Sequence, residues 1–255
     1  MSELPSLFRI TPAKLRSFHT CMKQYWFRYL SGQSWPERDD NEPPLVIGKA
    51  VHRAMHILTQ SQNEDVARQQ LDIYLRMPKH SCAAPGTESY DEARELFEKG
   101  IQAHRSLDAE ESWAERETLA PWPSRGVEVS ARVDRVDRKT SSHYVVIDWK
   151  TGNYEDEDQT DIQLDIGHVA ARRTLRLGRE VHVTAIGWNL RKDEQRVREL
   201  VRADAQATME LMAANADRMQ RTSEFPATPG PACKFCDWRS QCPESDVTWD
   251  DNEGS

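Results

Sequence analysis

The side chains best suited to chemistry are two aspartates and a lysine in the middle of the sequence. Asp148 and Lys150 are separated by a single residue at the end of segment 144–150, whose apolar residues predict a β-strand. Side chains two apart in a strand project to the same face, so this carboxylate and this amine point together. Asp134 lies in an alternating segment before a short polar turn, which predicts the neighbouring strand of a hairpin. We therefore expect Asp134 to reach the same face.

Two carboxylates and a lysine at one strand end suit a hard divalent cation. Such a cation would polarise a phosphoryl oxygen and lower the pKa of a bound water, which Lys150 could orient or deprotonate. His52 follows Gly48 on a predicted helix and could add a neutral imidazole ligand. Each of these residues also has a common structural explanation. Asp148 and Lys150 could form a surface ion pair, and a helical histidine is more often a core or solvent residue.

Three of the five cysteines cluster near the end of the sequence, as Cys233-x2-Cys236-x5-Cys242. This spacing is typical of a metal or cluster site that takes a fourth ligand from elsewhere. Thiolates bind either Zn²⁺ or an iron–sulfur cluster, and the spacing does not separate the two. Cys82 stands in a predicted loop without a partner pattern, so we interpret it as an ordinary cysteine.

The net charge of −8 is concentrated in two acidic clusters. Residues 155–161 and 244–253 hold five acids each and no base, and without these ten the net charge of −8 becomes +2. Basic surfaces can therefore coexist with an acidic total.

Arginines near the predicted site could contact phosphates. Arg172, Arg176 and Arg179 fall on one face of a predicted helix, and such a stripe could follow a phosphate backbone. A solvated helix face is the equal alternative. Arg132 and Arg135 flank Asp134 and could meet phosphates beside it.

The order of predicted elements indicates a mixed α/β sheet flanked by helices. An opening helix is capped by Thr11, with Pro12 at its first position. Further helices are predicted at 49–60, 65–76, 91–107, 162–177 and 198–221, and strands at 129–134, 144–150 and 181–190. The sequence has no run of about 18 apolar residues and no secretory signal pattern, so we expect a cytoplasmic protein.

Taken in chain order, these residues resemble the PD-(D/E)XK nuclease superfamily. More narrowly, they are similar to RecB-type nucleases of the iron–sulfur subgroup, such as AddB nuclease domains and CRISPR-adaptation exonucleases. The matching pieces are Leu15-x5-Cys21-x3-Tyr25-x-Phe27-x-Tyr29-Leu30, Gly48-x3-His52, Arg132-Val133-Asp134-Arg135-Val136-Asp137, the segment 145–152, Gln163-Leu164 and the terminal cysteines.

The resemblance implies roles for individual residues. The implied Mg²⁺ or Mn²⁺ ligands are His52, Asp134, Asp148 and the backbone carbonyl of Trp149. Lys150 would be the catalytic lysine, and Gln163 would contact DNA or the site. Cys21 would join Cys233, Cys236 and Cys242 around a [4Fe–4S] cluster. The family usually has a tyrosine four residues after the glutamine, where this sequence has Gly167.

The resemblance also implies a restriction-endonuclease-like fold, with an iron–sulfur clasp joining the N-terminal helix to the C-terminus. Residues 1–243 would form one nuclease domain, and 244–255 a disordered acidic tail.

The implied activity is metal-dependent DNA exonuclease action on single strands or DNA ends, in recombination, repair, CRISPR adaptation or phage DNA processing. A helicase or a CRISPR-adaptation protein would be the partner, in a bacterial, archaeal or phage-infected cell. The alternative is a catalytically silent DNA-binding or adaptation subunit that retains the fold.

Overall fold

The computed structural model describes residues 7–36, 41–153 and 157–245, with the backbone alone at 115–118 and 157–159. Across these residues the chain forms seven α-helices and six β-strands. The helices are α1 (Pro12–Thr20), α2 (Met22–Tyr29), α3 (Pro43–Ser61), α4 (Glu64–Leu75), α5 (Glu88–Ser106), α6 (Glu157–Thr174) and α7 (Arg202–Arg221). The strands are β1 (Phe8–Ile10), β2 (Glu111–Trp122), β3 (Val127–Thr140), β4 (His143–Lys150), β5 (His182–Asn189) and β6 (Glu194–Leu200).

The strands form one mixed sheet in the order β1-β3-β4-β5-β6, with β2 also paired to β3. The pairs β1–β3 and β4–β5 are parallel, and the other three are antiparallel. Helix α6 supplies the crossover between parallel strands β4 and β5, as such a connection requires. The predicted α/β fold with a mixed central sheet between helices is confirmed.

Strand β4 separates two hydrophobic cores. Val145, Ile147 and Trp149 pack with helices α3, α4 and α5 on one side of the sheet. Val146 joins the core formed with α1, α6 and α7 on the other side. Because side chains alternate along a strand, Asp148 and Lys150 share the α6 side with Val146. No helix in the described ranges is long and apolar enough to cross a membrane.

Two predicted helices differ from the structure. The opening helix is broken at Cys21, which is extended and ends α1 just before α2 begins. Residues predicted to begin the last helix instead form the edge strand β6. Arg196 and Arg198 on this strand pair with Asp161 of α6 at 2.9 and 3.1 Å, and these contacts between distant residues have no local signature.

The predicted stripe of Arg172, Arg176 and Arg179 does not exist as one helical face. Arg172 is only 7% exposed. Its guanidinium donates to His168 Nε2 at 2.6 Å, to the Gly178 carbonyl at 3.0 Å and to the Val181 carbonyl. Helix α6 ends before Arg176, which has a left-handed φ of 52°. The prediction that Arg172 lies on a phosphate-facing surface is therefore wrong, because it holds the loop after α6 in place.

Residues 155–156 of the first acidic segment lie outside the described residues, whereas 157–161 form the start of α6. Most of the second acidic segment and of the predicted disordered tail, residues 246–255, also lies outside the described residues. Ser245, at the start of that tail, is buried and donates a hydrogen bond to the Cys242 carbonyl at 2.7 Å.

The buried imidazole of His168 predicts a pH-dependent loss of stability. Burial, and then the charge of Arg172, lower its pKa to about 4. In the unfolded chain the imidazole of His168 binds a proton near pH 6.5, whereas in the folded chain it stays neutral until about pH 4. The stability contributed by the neutral ring is therefore lost as pH falls from 6.5 towards 4. Between about pH 7.5 and about pH 5, this group should lower the free energy of unfolding by about 2 kcal/mol.

Urea unfolding at both pH values tests this expectation. His168→Gln, which keeps an acceptor for Arg172, should show a smaller difference between the two pH values than the natural chain. His182→Gln, at an exposed position, is the matched control and should behave like the natural chain. An unchanged pH dependence in His168→Gln would contradict the assignment.

Candidate active site

The candidate site lies where α3 and the start of α6 approach the middle of β3 and the end of β4. Helix α3 passes close to the chain that leaves β4, since a Cβ on Gly48 would lie 3.2 Å from Thr151 Oγ1. His52 follows one turn later on the same side of α3. Glycine at position 48 thus permits the close approach that brings the imidazole to the sheet.

Asp134 is held between the helix and the neighbouring strand. Its Oδ2 accepts a hydrogen bond from the Trp149 backbone N–H at 2.9 Å and lies 3.4 Å from His52 Nδ1. The Trp149 side chain is buried in the other core, so only its backbone borders the site. These contacts fix the carboxylate of β3 beside the end of β4.

Asp148, Lys150 and Gln163 form a triangle of polar contacts. Lys150 Nζ lies 2.6 Å from Asp148 Oδ2 and donates to Gln163 Oε1 at 2.7 Å. The Gln163 amide donates to Asp148 Oδ1 at 2.5 Å. The start of α6 therefore holds both functional side chains of β4.

The charges of the site act on one another. Burial raises the pKa of Asp148, partly offset by the charge of Lys150 and reinforced by that of Asp134. Burial acts to lower the pKa of His52, but its hydrogen bond to Asp134 and the charges of both aspartates outweigh it, so the pKa is raised. A buried, mutually repelling pair of carboxylates favours a nearby cation.

The donor set fits a divalent metal ion in its chemistry. Two carboxylates and an imidazole meet here, and the buried Asp148 Oδ2 accepts no well-aligned hydrogen bond in the described chain. No three His, Cys, Asp or Glu side chains of the described ranges are grouped tightly enough to coordinate one ion. In this arrangement, Asp148 is instead held by Lys150 and Gln163.

The family model for the PD-(D/E)XK nuclease superfamily matches residues 9–243. This chain belongs to that superfamily. Its members are nucleases that generally use Mg²⁺ or Mn²⁺, which agrees with the carboxylates and lysine at the end of β4.

Two solved structures match most of the length of this PD-(D/E)XK chain. A candidate exonuclease from Eubacterium rectale has 12% sequence identity and a TM-score of 0.50, with 84% of this chain and 80% of that chain covered. The protein SSO0001 has 17% identity over 88% of this chain and 94% of that chain, with a TM-score of 0.35, too low to bear on the fold. Likeness at such identities concerns the fold alone. No curated protein matches the sequence significantly.

The two arginines that flank Asp134 lie in opposite environments. Arg132 is exposed on the same face of β3 as Asp134. Arg135 is 2% exposed and pairs with the fully buried Asp137 at 2.7 Å, while also contacting His104. The prediction that Arg135 contacts DNA is therefore wrong, because the guanidinium is enclosed between Asp137 and His104 of α5.

Four cysteines line one cavity between the N-terminal helices and the end of the chain: Cys21, Cys233, Cys236 and Cys242. Cys21 Sγ accepts a hydrogen bond from the Thr228 N–H at 3.4 Å, and Gln24 lies 3.6 Å from Cys236 Sγ. Burial raises the pKa of Cys236 and of Cys242, and neighbouring cysteines add to the shift. Cys82 lies elsewhere, against the α3–α5 core.

Residues after β4 that brace the site were missed from the sequence. Asn189 is fully buried and donates to the Gly152 carbonyl at 3.1 Å, and Arg191 Nε donates to the Thr151 carbonyl at 2.9 Å. Both hold the turn that follows Lys150. Neither has a local sequence signal, since each acts across some forty residues of chain.

Arg135 and Arg132 give a matched pair of variants. Arg135→Ala leaves the buried Asp137 carboxylate without its main partner and should cost about 3–5 kcal/mol of stability. Arg132→Ala removes an exposed side chain and should change stability by less than about 0.5 kcal/mol. Chemical unfolding of both variants checks the difference, and equal losses would contradict the enclosed position of Arg135.

Proposed function

We propose that this chain is a divalent-metal-dependent deoxyribonuclease that degrades single-stranded DNA or DNA ends as an exonuclease. The observation that carries the proposal is the contact of Asp148, Lys150 and Gln163 beside the Asp134–His52 pair. A lysine next to a pair of carboxylates at one strand end combines a cation site with a positive group for phosphoryl chemistry.

The metal would be Mg²⁺ or Mn²⁺, held by His52, Asp134, Asp148 and the Trp149 carbonyl. When bound, such an ion polarises a phosphoryl oxygen and favours the hydroxide form of a water molecule. The carboxylates of Asp134 and Asp148 supply the negative charge that retains it.

Lys150 acts on the developing charge of the phosphate. Water oxygen forms a bond to phosphorus as the bond to the leaving oxygen breaks, and the water loses its proton to solvent. An ammonium paired with Asp148 at 2.6 Å has no lone pair with which to take that proton. Lys150 therefore orients the water and stabilises negative charge, and Gln163 positions both Lys150 and Asp148 by two short hydrogen bonds.

The finer features of the proposal rest on the resemblance to RecB-type iron–sulfur nucleases. They are exonuclease action, the preference for single strands or ends, and a place in recombination, repair, CRISPR adaptation or phage DNA processing beside a helicase or adaptation protein. Exposed Arg132, on the same face as Asp134, supports a role in contacting the strand to be cut.

Asp148→Asn should abolish cleavage of labelled single-stranded DNA in Mg²⁺ and in Mn²⁺, because it removes a charged ligand while preserving the side chain's shape. Asp217→Asn, at an exposed position of α7, is the matched control and should cleave normally. Substrates blocked at the 5′ or the 3′ end give the direction of degradation. A natural chain that binds DNA but never cuts it would show a silent DNA-binding subunit.

Lys150→Gln should lose most of the rate per bound complex while it still binds single-stranded DNA, because its charge acts in the transition state. Single-turnover cleavage at saturating protein, together with binding measured without metal, separates the two effects. If binding disappeared and the rate per bound complex were unchanged, Lys150 would be a phosphate anchor instead.

We further propose that Cys21, Cys233, Cys236 and Cys242 hold a structural [4Fe–4S] cluster. Supporting this, the four thiols surround one cavity although Cys21 is more than 200 residues from the others in sequence. The choice of a cluster over zinc rests on the resemblance to RecB-type iron–sulfur nucleases, which use this one-plus-three distribution of cysteines along the chain.

A cluster makes the protein brown, with about four irons per chain, whereas zinc leaves it colourless. Each single change of Cys21, Cys233, Cys236 or Cys242 to Ala should bleach the anaerobically purified protein and lower its stability. Cys82→Ala is the control and should stay brown. The cluster would be contradicted if the natural protein carries no iron and the Cys233→Ala protein is folded, colourless and active.

A further inference from the structure

An open basic groove lies between the end of α6 and the start of α7. It has a volume of about 520 Å³, within the size range of ligand-binding clefts. Its polar and aromatic lining comprises Trp122, Arg172, Arg173, Arg176, Arg202 and Gln206.

The residues that line this groove include no acid to neutralise their positive charge. Its lining holds four arginines and no acidic residue, although the whole chain has a net charge of −8. No carboxylate in the described chain pairs with Arg173, Arg176 or Arg202, all of which are exposed. Guanidinium groups repel each other when gathered without counter-charge, so this cluster favours an anion.

The groove is held in shape by contacts that leave its three exposed arginines available. Arg172 pins the loop after α6 through the Gly178 and Val181 carbonyls, which fixes Arg176 at the rim. Asp204, the acid in the first turn of α7, accepts a hydrogen bond from the Val201 N–H at 2.7 Å and so caps the helix. Burial, and then the nearby charge of Arg202, lower the pKa of Arg172, while the carboxylate of Asp204 acts in the opposite direction.

We infer that this groove is a second binding site for the sugar-phosphate backbone of the DNA strand under degradation. Arg173, Arg176 and Arg202 would contact phosphates. The half-buried Trp122 ring borders the groove, with the Arg125 guanidinium 5.6 Å from its centroid. The inference rests on the proposed nuclease function and adds to it a contact remote from the metal ligands.

The length of α6 sets the separation between the two sites. Arg173 follows Gln163 by ten residues, which is about 15 Å along a helix with a rise of about 1.5 Å per residue. At about 3.4 Å per phosphate, the spacing of a stacked strand, this distance corresponds to about four nucleotides. A strand with this stacked spacing must therefore exceed about four nucleotides to occupy both sites at once.

The test compares two double variants with equal loss of charge. Arg173→Gln/Arg202→Gln removes two exposed groove arginines, and Arg76→Gln/Arg221→Gln removes two exposed arginines elsewhere. Binding to a labelled single strand of about 30 nucleotides is measured without divalent metal at several salt concentrations. Cleavage in Mn²⁺ is then measured on this strand and on a strand of about four nucleotides.

The groove variant should bind the long strand about tenfold more weakly, and the slope of log affinity against log salt should fall by about 1.4, or 0.7 for each lost phosphate contact. It should cleave the long strand less efficiently at low concentration and the short strand normally, while the control variant matches the natural chain.

Equal behaviour of the two double variants in a chain that cleaves DNA would overturn the second site and leave the nuclease standing. A natural chain that neither binds nor cleaves DNA would overturn both.

Discussion

The close packing of α6 against the sheet is the constraint on which the rest of the site depends. A Cβ on Gly167 would lie 3.2 Å from Val146 Cγ1, and one on Gly187 would lie 3.0 Å from Thr160 Cγ2. The helix can therefore lie flush on β4 and β5 only because these positions lack side chains. This close packing places the Gln163 amide 2.5 Å from Asp148 Oδ1. A helix held away from the sheet by one methyl group would not keep this hydrogen bond.

The same packing gives a physical reason for the departure from the family pattern. Many relatives are expected to carry a tyrosine where this chain has Gly167, and here that position faces the sheet against Val146 and Val133. A phenol ring does not fit between α6 and β3–β4 in this arrangement. In the proposed nuclease, the DNA contacts of that tyrosine would come from other side chains, such as the arginines that line the groove at the opposite end of α6.

The mixed α/β fold could be predicted from the sequence because its central strands and long helices have strong periodic patterns. The hairpin of β3 and β4 and the cap at Thr11 are examples. Strand β6 could not be predicted, since its charged residues are stabilised by ion pairs with α6 that no local pattern contains.

The candidate site shows the same division between local and long-range information. Asp148 and Lys150 share a face by strand alternation, which the sequence predicts. The environments of Arg135 and Arg172 depend on partners that the fold brings to them. Both are therefore enclosed, although nothing in their local sequence distinguishes them from the exposed Arg132 and Arg176. The presence of an arginine in the sequence therefore does not show whether its side chain is exposed and able to bind an anion.

The central claim is that Asp134 and Asp148 together retain a divalent ion beside Lys150. Titration of the full-length protein with Mn²⁺, followed by the loss of the electron paramagnetic resonance signal of the free ion, measures this directly without DNA or turnover. We expect tight binding in the natural chain, retained in Asp217→Asn and lost in both Asp134→Asn and Asp148→Asn. Equal Mn²⁺ binding by the natural chain and the two active-site variants would contradict the claim.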